Sequence, residues 1–217
     1  MQVQKKEIRQ DIIDAAEYEF LKKGYQASSL RVIAKRANTT IGNLYNYYKN
    51  KEALLDAIIG SLPEDIENIF YDHQKVNPSM FDIDFNNMEQ LSDIVEIYIP
   101  KLFRFDLLLT NAVVILLEGC ENTKYASFQQ NVYQVFYEHM LEHMEHISEE
   151  NFPGKQLYIH TIVSSMLNAV IYIAKNKSSY EEGKNVLIQY IKFMIIGLLS
   201  TKDMVIDFEG EKSKRFN

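Results

Sequence analysis

Apolar residues return along this chain at helical intervals almost throughout. Ile8, Ile12, Ala16 and Phe20 recur every four residues, with Ile13 and Leu21 widening the stripe, and this predicts an amphipathic helix. Lys22 and Lys23 suit the negative end of that helix and Gly24 ends it. Ser28 or Ser29 can cap a second helix with Leu30, Ile33, Ala34 and Ala37 as its apolar face, and Asn38 tolerates the left-handed turn that follows. Thr40 caps a third, short helix, and Asn50 a fourth with Leu54, Leu55, Ile58 and Leu62 buried. Ser61-Leu62-Pro63-Glu64 has the form of a capping box with proline in the first turn, so the chain is expected to kink or restart there.

Asn77–Asn87, with Pro78 and several Asp and Asn, is the most loop-like segment. Helical patterns resume at Met88–Pro100, Lys101–Cys120, Tyr125–Ser148, Lys155–Lys175 and Tyr180–Ser200. Strand alternation, repeats and low-complexity tracts are missing from the pattern, and the predicted class is all-α.

Charge changes this picture. The net charge of −7 is the sum of +5 over residues 1–51 and −12 over residues 52–217. A basic N-terminal segment on an acidic body suggests that the first end meets nucleic acid. The lone cysteine, Cys120, excludes a disulfide framework within one chain and fits a reducing compartment. The opening residues lack a secretory pattern, and the greasy runs Phe105–Leu117 and Val186–Leu199 are interrupted by polar residues and fall short of a membrane span. A cytoplasmic globular protein with no membrane partner is expected.

The third helix carries the chemistry. With Ile41 at zero and about 100° per residue, Leu44, Tyr45 and Tyr48 fall on its side, and Gly42, Asn43, Asn46 and Tyr47 on the other. One to two helical turns do not hold alone, so the first set is expected to dock and leave the second free. Such a helix can serve as the second of a helix-turn-helix, presenting small and polar groups to base edges in the major groove. Thr40, Gly42 and Asn43 are the candidate base readers. Tyr47, Lys49 and Lys51 follow where phosphates would pass, with Tyr45 reaching the rim by its hydroxyl and Ser28, Ser29 and Arg31 approaching from the preceding helix.

The stretch GYQASSLRVIAKRANTTIGNLYNYYKNKEAL, Gly24–Leu54, resembles the N-terminal domain of the TetR family of transcriptional regulators. It keeps the family's order of a glycine, a Thr/Ser pair, Ile-Ala, a turn, a Tyr, an aromatic and Lys-x-x-Leu. It departs at Asn38-Thr39-Thr40, where Gly-Val-Ser is usual, and at Tyr47-Tyr48, where His-Phe is common. The resemblance implies an N-terminal three-helix helix-turn-helix DNA-binding domain, residues 1–51, and a larger helical ligand-binding and dimerisation domain, residues 52–201, followed by a polar tail, 202–217. It further implies a homodimer joined through the last two helices, a double-stranded DNA operator, a small-molecule effector, no cofactor and no enzymatic activity. Ile159–Ala174 and Val186–Leu199 are apolar nearly all round, as helices covered on more than one side are, and Ser164, Ser165, Ala169 and Gly197 would allow close packing. Pro63, between head and body, is the candidate for passing on movement.

The remaining chemistry is thinner. Phe103, Glu118, Phe128 and Phe136 are candidates for lining an effector pocket, among other aromatic positions such as Phe81 and Phe85. His139, His143 and His146 recur at i, i+4 and i+7, within about 60° of one another, and are candidate ligands of a transition ion. They lack a fixed fourth ligand, and no metal is assigned. A helical metal-binding protein and an effector-independent architectural DNA-binding protein are the rival readings.

Overall fold

The computed structural model describes residues 2–75, 93, 95–144, 148, 150 and 152–204. All regular structure among the described residues is α-helical. Helix α1 (Gln2–Ala27) is interrupted at Gly24, whose φ of 77° and ψ of 159° lie outside helical geometry and turn the chain toward α2 (Leu30–Arg36). Asn38, at φ 50°, makes the left-handed turn into α3 (Ile41–Tyr47). Then come α4 (Lys51–Ile59) and α5 (Leu62–Lys75), separated at Gly60 with φ 57°. The chain thus restarts at the expected place, with the Ser61 hydroxyl donating to the Asp65 carboxylate at 2.8 Å.

The expected single helix over Lys101–Cys120 is instead three short ones: α6 (Ile99–Leu102), α7 (Phe105–Leu108) and α8 (Asn111–Leu117). Two local features win over the apolar periodicity. Arg104 adopts the left-handed conformation, φ 47° and ψ 59°, with its guanidinium on Asp106 at 2.9 and 3.0 Å. Thr110 is extended and accepts from the Val113 amide, so it caps a new helix. Pro100 lies in the first turn of α6, where a missing N–H costs nothing. Beyond a turn at residues 118–127 lie α9 (Phe128–His143), α10 (Lys155–Asn176) and α11 (Tyr180–Met204). The expected loop over Asn77–Asn87 lies outside the described residues.

Helix α8 is the hub, packing on α1, α4, α9 and α10. Val113, Val114, Ile115, Leu116 and Leu117 are all buried, and an all-apolar helix can only be stable at such a centre. One continuous cluster joins Ile12, Phe20, Ile33, Leu44, Leu54 and Leu55 to Val113, Leu116, Cys120 and Phe128. The N-terminal helices therefore share their core with the body.

Candidate nucleic-acid interface

Helix α3 is seven residues long and is held by two devices. Thr40 Oγ1 accepts from the Asn43 amide at 3.1 Å, and Leu44 is fully buried against α1 and α2. Gly42, Tyr45 and Asn46 are exposed, as are Thr40 and Lys49 at the ends of the helix. Asn43 is half-buried. Its side-chain amide donates to Thr39 Oγ1 at 2.8 Å, and its carbonyl accepts from Asn46 at 3.4 Å, so a polar chain Thr39–Asn43–Asn46 runs along the outer face.

Two tyrosines exchange the places expected of them. Tyr45 is 53% exposed, whereas Tyr47 is half-buried and packs on the main core. The buried face centres on Leu44 rather than Ile41. Tyr47 lies about 60° from Leu44 and Tyr45 about 100°, and this rotation of the seam decides which ring is covered. Tyr48 is buried as expected.

Ser28 and Lys51 also differ from expectation. Ser28 is 7% exposed and donates its hydroxyl to the Tyr25 carbonyl at 2.6 Å, so it faces inward. Ser29 occupies the N-cap position of α2 without a side-chain cap bond, and it is exposed together with Arg31. The Lys51 ammonium donates to the carbonyls of Tyr25, Gln26 and Ser28 at 2.7, 3.0 and 3.2 Å. Its three donors are thereby matched by three acceptors, and the cation sits 4.5 Å from the centre of the Tyr25 ring. Burial holds the Lys51 amine below its ordinary pKa and pushes the Tyr25 phenol up to about 12. Lys51 thus fastens the start of α4 to the α1–α2 turn.

Long-range partners add residues that spacing does not indicate. Arg9 Nε, on α1, donates to the Tyr48 hydroxyl at 3.3 Å. Glu19, 2% exposed, pairs with Lys23 and Arg36 at 3.4 Å each, and the Arg36 guanidinium also lies 3.6 Å over the Tyr18 ring. This ties the end of α2 to α1. An open cleft of about 340 Å³ lies beside that pair, lined by Asp11, Asp14, Tyr18, Arg36 and Asn38 among others.

The turn between α8 and α9 clasps the head. The Tyr125 hydroxyl and the Lys124 ammonium meet Asp56 Oδ1 at 2.9 and 3.1 Å, the Lys124 amide donates to Glu52 at 3.3 Å, and Gln26 donates to the Glu121 carbonyl. Asn111 on α8 donates to Glu17 on α1 at 3.2 Å.

The four candidate effector residues do not converge. Phe128 belongs to the main core, Phe103 packs on a second cluster around Phe105 and Leu187, and Phe136 bridges the main core to a third around Ile159 and Val163. Glu118 is paired with Lys175 at 2.6 Å. Phe81 and Phe85 lie outside the described residues. Of the histidines, His139 is half-buried, 4.0 Å from Glu142, while His146 and the side chain of His143 lie outside the described residues. Among the described residues, His, Cys, Asp and Glu do not gather in a group of three that could hold a metal ion.

The segment that builds this surface, residues 12–58, matches the family model of bacterial regulatory proteins, tetR family. Over that segment the chain is similar to the TetR family. Its relatives include an HTH-type transcriptional repressor, KstR, of Rhodococcus jostii (strain RHA1), 33% identical over 108 residues, which are 50% of this chain and 46% of the relative. An uncharacterised HTH-type regulator of Bacillus subtilis, YhgD, is 33% identical over 90 residues, 37% of this chain and 47% of the relative. The regulator TtgR of Pseudomonas putida is 41% identical over 58 residues, 27% of this chain and 28% of the relative. The chain thus matches less than half the length of each of these curated relatives. Among solved structures, a TetR-like regulator from Rhodococcus sp. RHA1 aligns at a TM-score of 0.46 and 17% identity, over 83% of this chain and 91% of its own.

Proposed function

We propose that this chain is a ligand-responsive transcriptional regulator of the TetR family, acting as a repressor that binds a near-palindromic operator as a homodimer and leaves it when a small effector binds. The observation that carries the reading is the outer face of α3. A seven-residue helix is capped by Thr40 and anchored by Leu44 while it leaves Gly42, Tyr45 and Asn46 uncovered. Thr40, Gly42, Asn43 and Asn46 would meet base edges, and Ser29, Arg31, Tyr45, Tyr47 and Lys49 would meet phosphate or the groove wall.

The C-terminal helices support dimerisation. On α10 the exposed positions Leu157, Thr161, Ser164, Asn168 and Tyr172 form one stripe of mostly small residues between two large apolar ones. On α11, Phe193 is 73% exposed, with Val186, Ile196 and Gly197 also uncovered. Helix α10 is long and apolar enough to cross a membrane, with mean hydropathy 1.5 and only 28% of its apolar window buried. Its other side packs on α8, α9 and α11, and a second copy of the chain is the cover that fits a stripe of small residues. Effector binding would favour a spacing of the two heads that no longer fits both grooves, through its affinity difference between the two states. Pro63, in the first turn of α5 beside the Gly60 break, is the candidate for passing such a change from body to α4.

In vitro selection of duplexes by the full chain tests this. Enriched sequences should carry a dyad with half-sites one helical turn or a multiple apart, about 34–36 Å per turn. Enrichment without a dyad, or no enrichment, would refute it.

A further inference from the structure

We infer that Arg9, with Lys5 one turn before it, forms a second phosphate-binding ledge that grips the DNA backbone beside the half-site. This rests on the DNA-binding reading above and extends it to a helix outside the helix-turn-helix. Arg9 lies 39 residues from Tyr48 in sequence, yet its Nε donates to the Tyr48 hydroxyl at 3.3 Å and its guanidinium carbon is 5.9 Å from the centre of that ring. Tyr48 is the C-cap of α3 and is itself 4% exposed. The contact therefore holds Arg9 at the far end of the helix that would enter the groove, where the chain continues into exposed Lys49.

Arg9 is exposed, and the group that engages it is a neutral phenol, so its charge is oriented without being neutralised. A guanidinium has five N–H donors in a fixed fork, and among the described residues only Nε has an acceptor. The terminal nitrogens are left for a planar anion such as a phosphate, which Arg matches in bidentate fashion. Lys5 is exposed and stands at i−4 from Arg9, so both cations share one face of α1. Through Tyr48 the ledge adjoins the C-terminal end of α3, and its charge complements the duplex that α3 would address. Base edges lie in the groove, so this ledge adds affinity and register without sequence choice.

The test is the salt dependence of binding to a random-sequence duplex of roughly 30 base pairs, followed by fluorescence anisotropy with the full chain, since phosphate contacts need no operator. Arg9→Gln keeps part of the aliphatic stem and a polar amide donor but removes the charge. It should lower the slope of log K against log salt by about 0.9 for each subunit in contact. Arg9→Lys should preserve the slope, and Lys5→Gln added to Arg9→Gln should lower it by a similar further step. Thermal unfolding of each variant should match the wild type within a few degrees. An unchanged slope in Arg9→Gln would overturn the ledge, as would an equal loss in Arg9→Lys, which would make Arg9 a prop for Tyr48. If the wild-type chain binds duplex DNA without salt dependence, the DNA-binding proposal fails as well, an outcome distinct from loss of the ledge alone.

Discussion

Truncating Leu44 tests whether one apolar anchor holds the outer face of α3 in place. Leu44 is fully buried, and the only other side chain of α3 or its cap that is buried is Tyr48. Leu44→Ala removes three carbons, worth about 0.8 kcal/mol each on transfer, and adds a term for the cavity left behind. The expected loss is about 3 kcal/mol, inside the range of roughly 2.7–5 found for such truncations. At about 1.4 kcal/mol per factor of ten, that multiplies the undocked fraction of α3 roughly 150-fold. A helix of this length does not persist undocked, so DNA affinity should fall with stability. Urea unfolding followed by circular dichroism gives the first quantity and anisotropy on a selected duplex the second. Tyr45→Ala is the control: it is 53% exposed, so its stability should stay within about 0.5 kcal/mol of wild type while its DNA affinity drops. The reasoning is refuted if Leu44→Ala unfolds within 0.5 kcal/mol (roughly the scatter of surface changes) of the wild type and binds DNA unchanged.

Four further outcomes are expected. Asn43→Ala should relax base preference, whereas Lys51→Met should leave the salt slope intact and cost about 1–3 kcal/mol of stability, because three carbonyls lose their donor; a flattened slope in Lys51→Met would restore it as a phosphate reader. Burial pushes the Cys120 thiol from 9.0 up to about 11, so the folded chain holds a proton that the unfolded chain loses, and stability falls as pH rises through that window. The penalty of Cys120→Ala in urea unfolding should accordingly be smaller at pH 10.5 than at pH 8, the two test conditions chosen at about either side of the thiol's ordinary range; an equal penalty would contradict the shift. Phe193→Glu, at a 73% exposed position, should shift sedimentation toward monomer and weaken binding to a two-half-site duplex far more than to one half-site.

Much of the head is legible because its signals are local. Thr40 and Asn50 cap the helices they precede, Asn38 turns left-handed, and Gly24 breaks α1, each through a side chain or backbone freedom acting within four residues. What is not legible depends on partners far along the chain. Nothing at position 51 announces three carbonyls 23 to 26 residues earlier, and nothing at position 9 announces Tyr48. The choice between Tyr45 and Tyr47 turned on a rotation of the buried seam smaller than one residue step. The break of Lys101–Cys120 into short helices had a readable cause in Thr110, a capping residue inside an apolar run, which periodicity alone passes over.

The core shared by the N-terminal helices and α8 bears on how this protein can be rebuilt. A chimera cut after residue 51 would part Phe20, Ile33 and Leu44 from Val113, Leu116 and Phe128, which belong to the same buried cluster. Grafting the N-terminal helices onto another body therefore means carrying α8 and the turn that follows it as well, or redesigning the seam. If α3 reads the operator as proposed, specificity is more easily exchanged by rewriting its outer side chains than by trading whole segments.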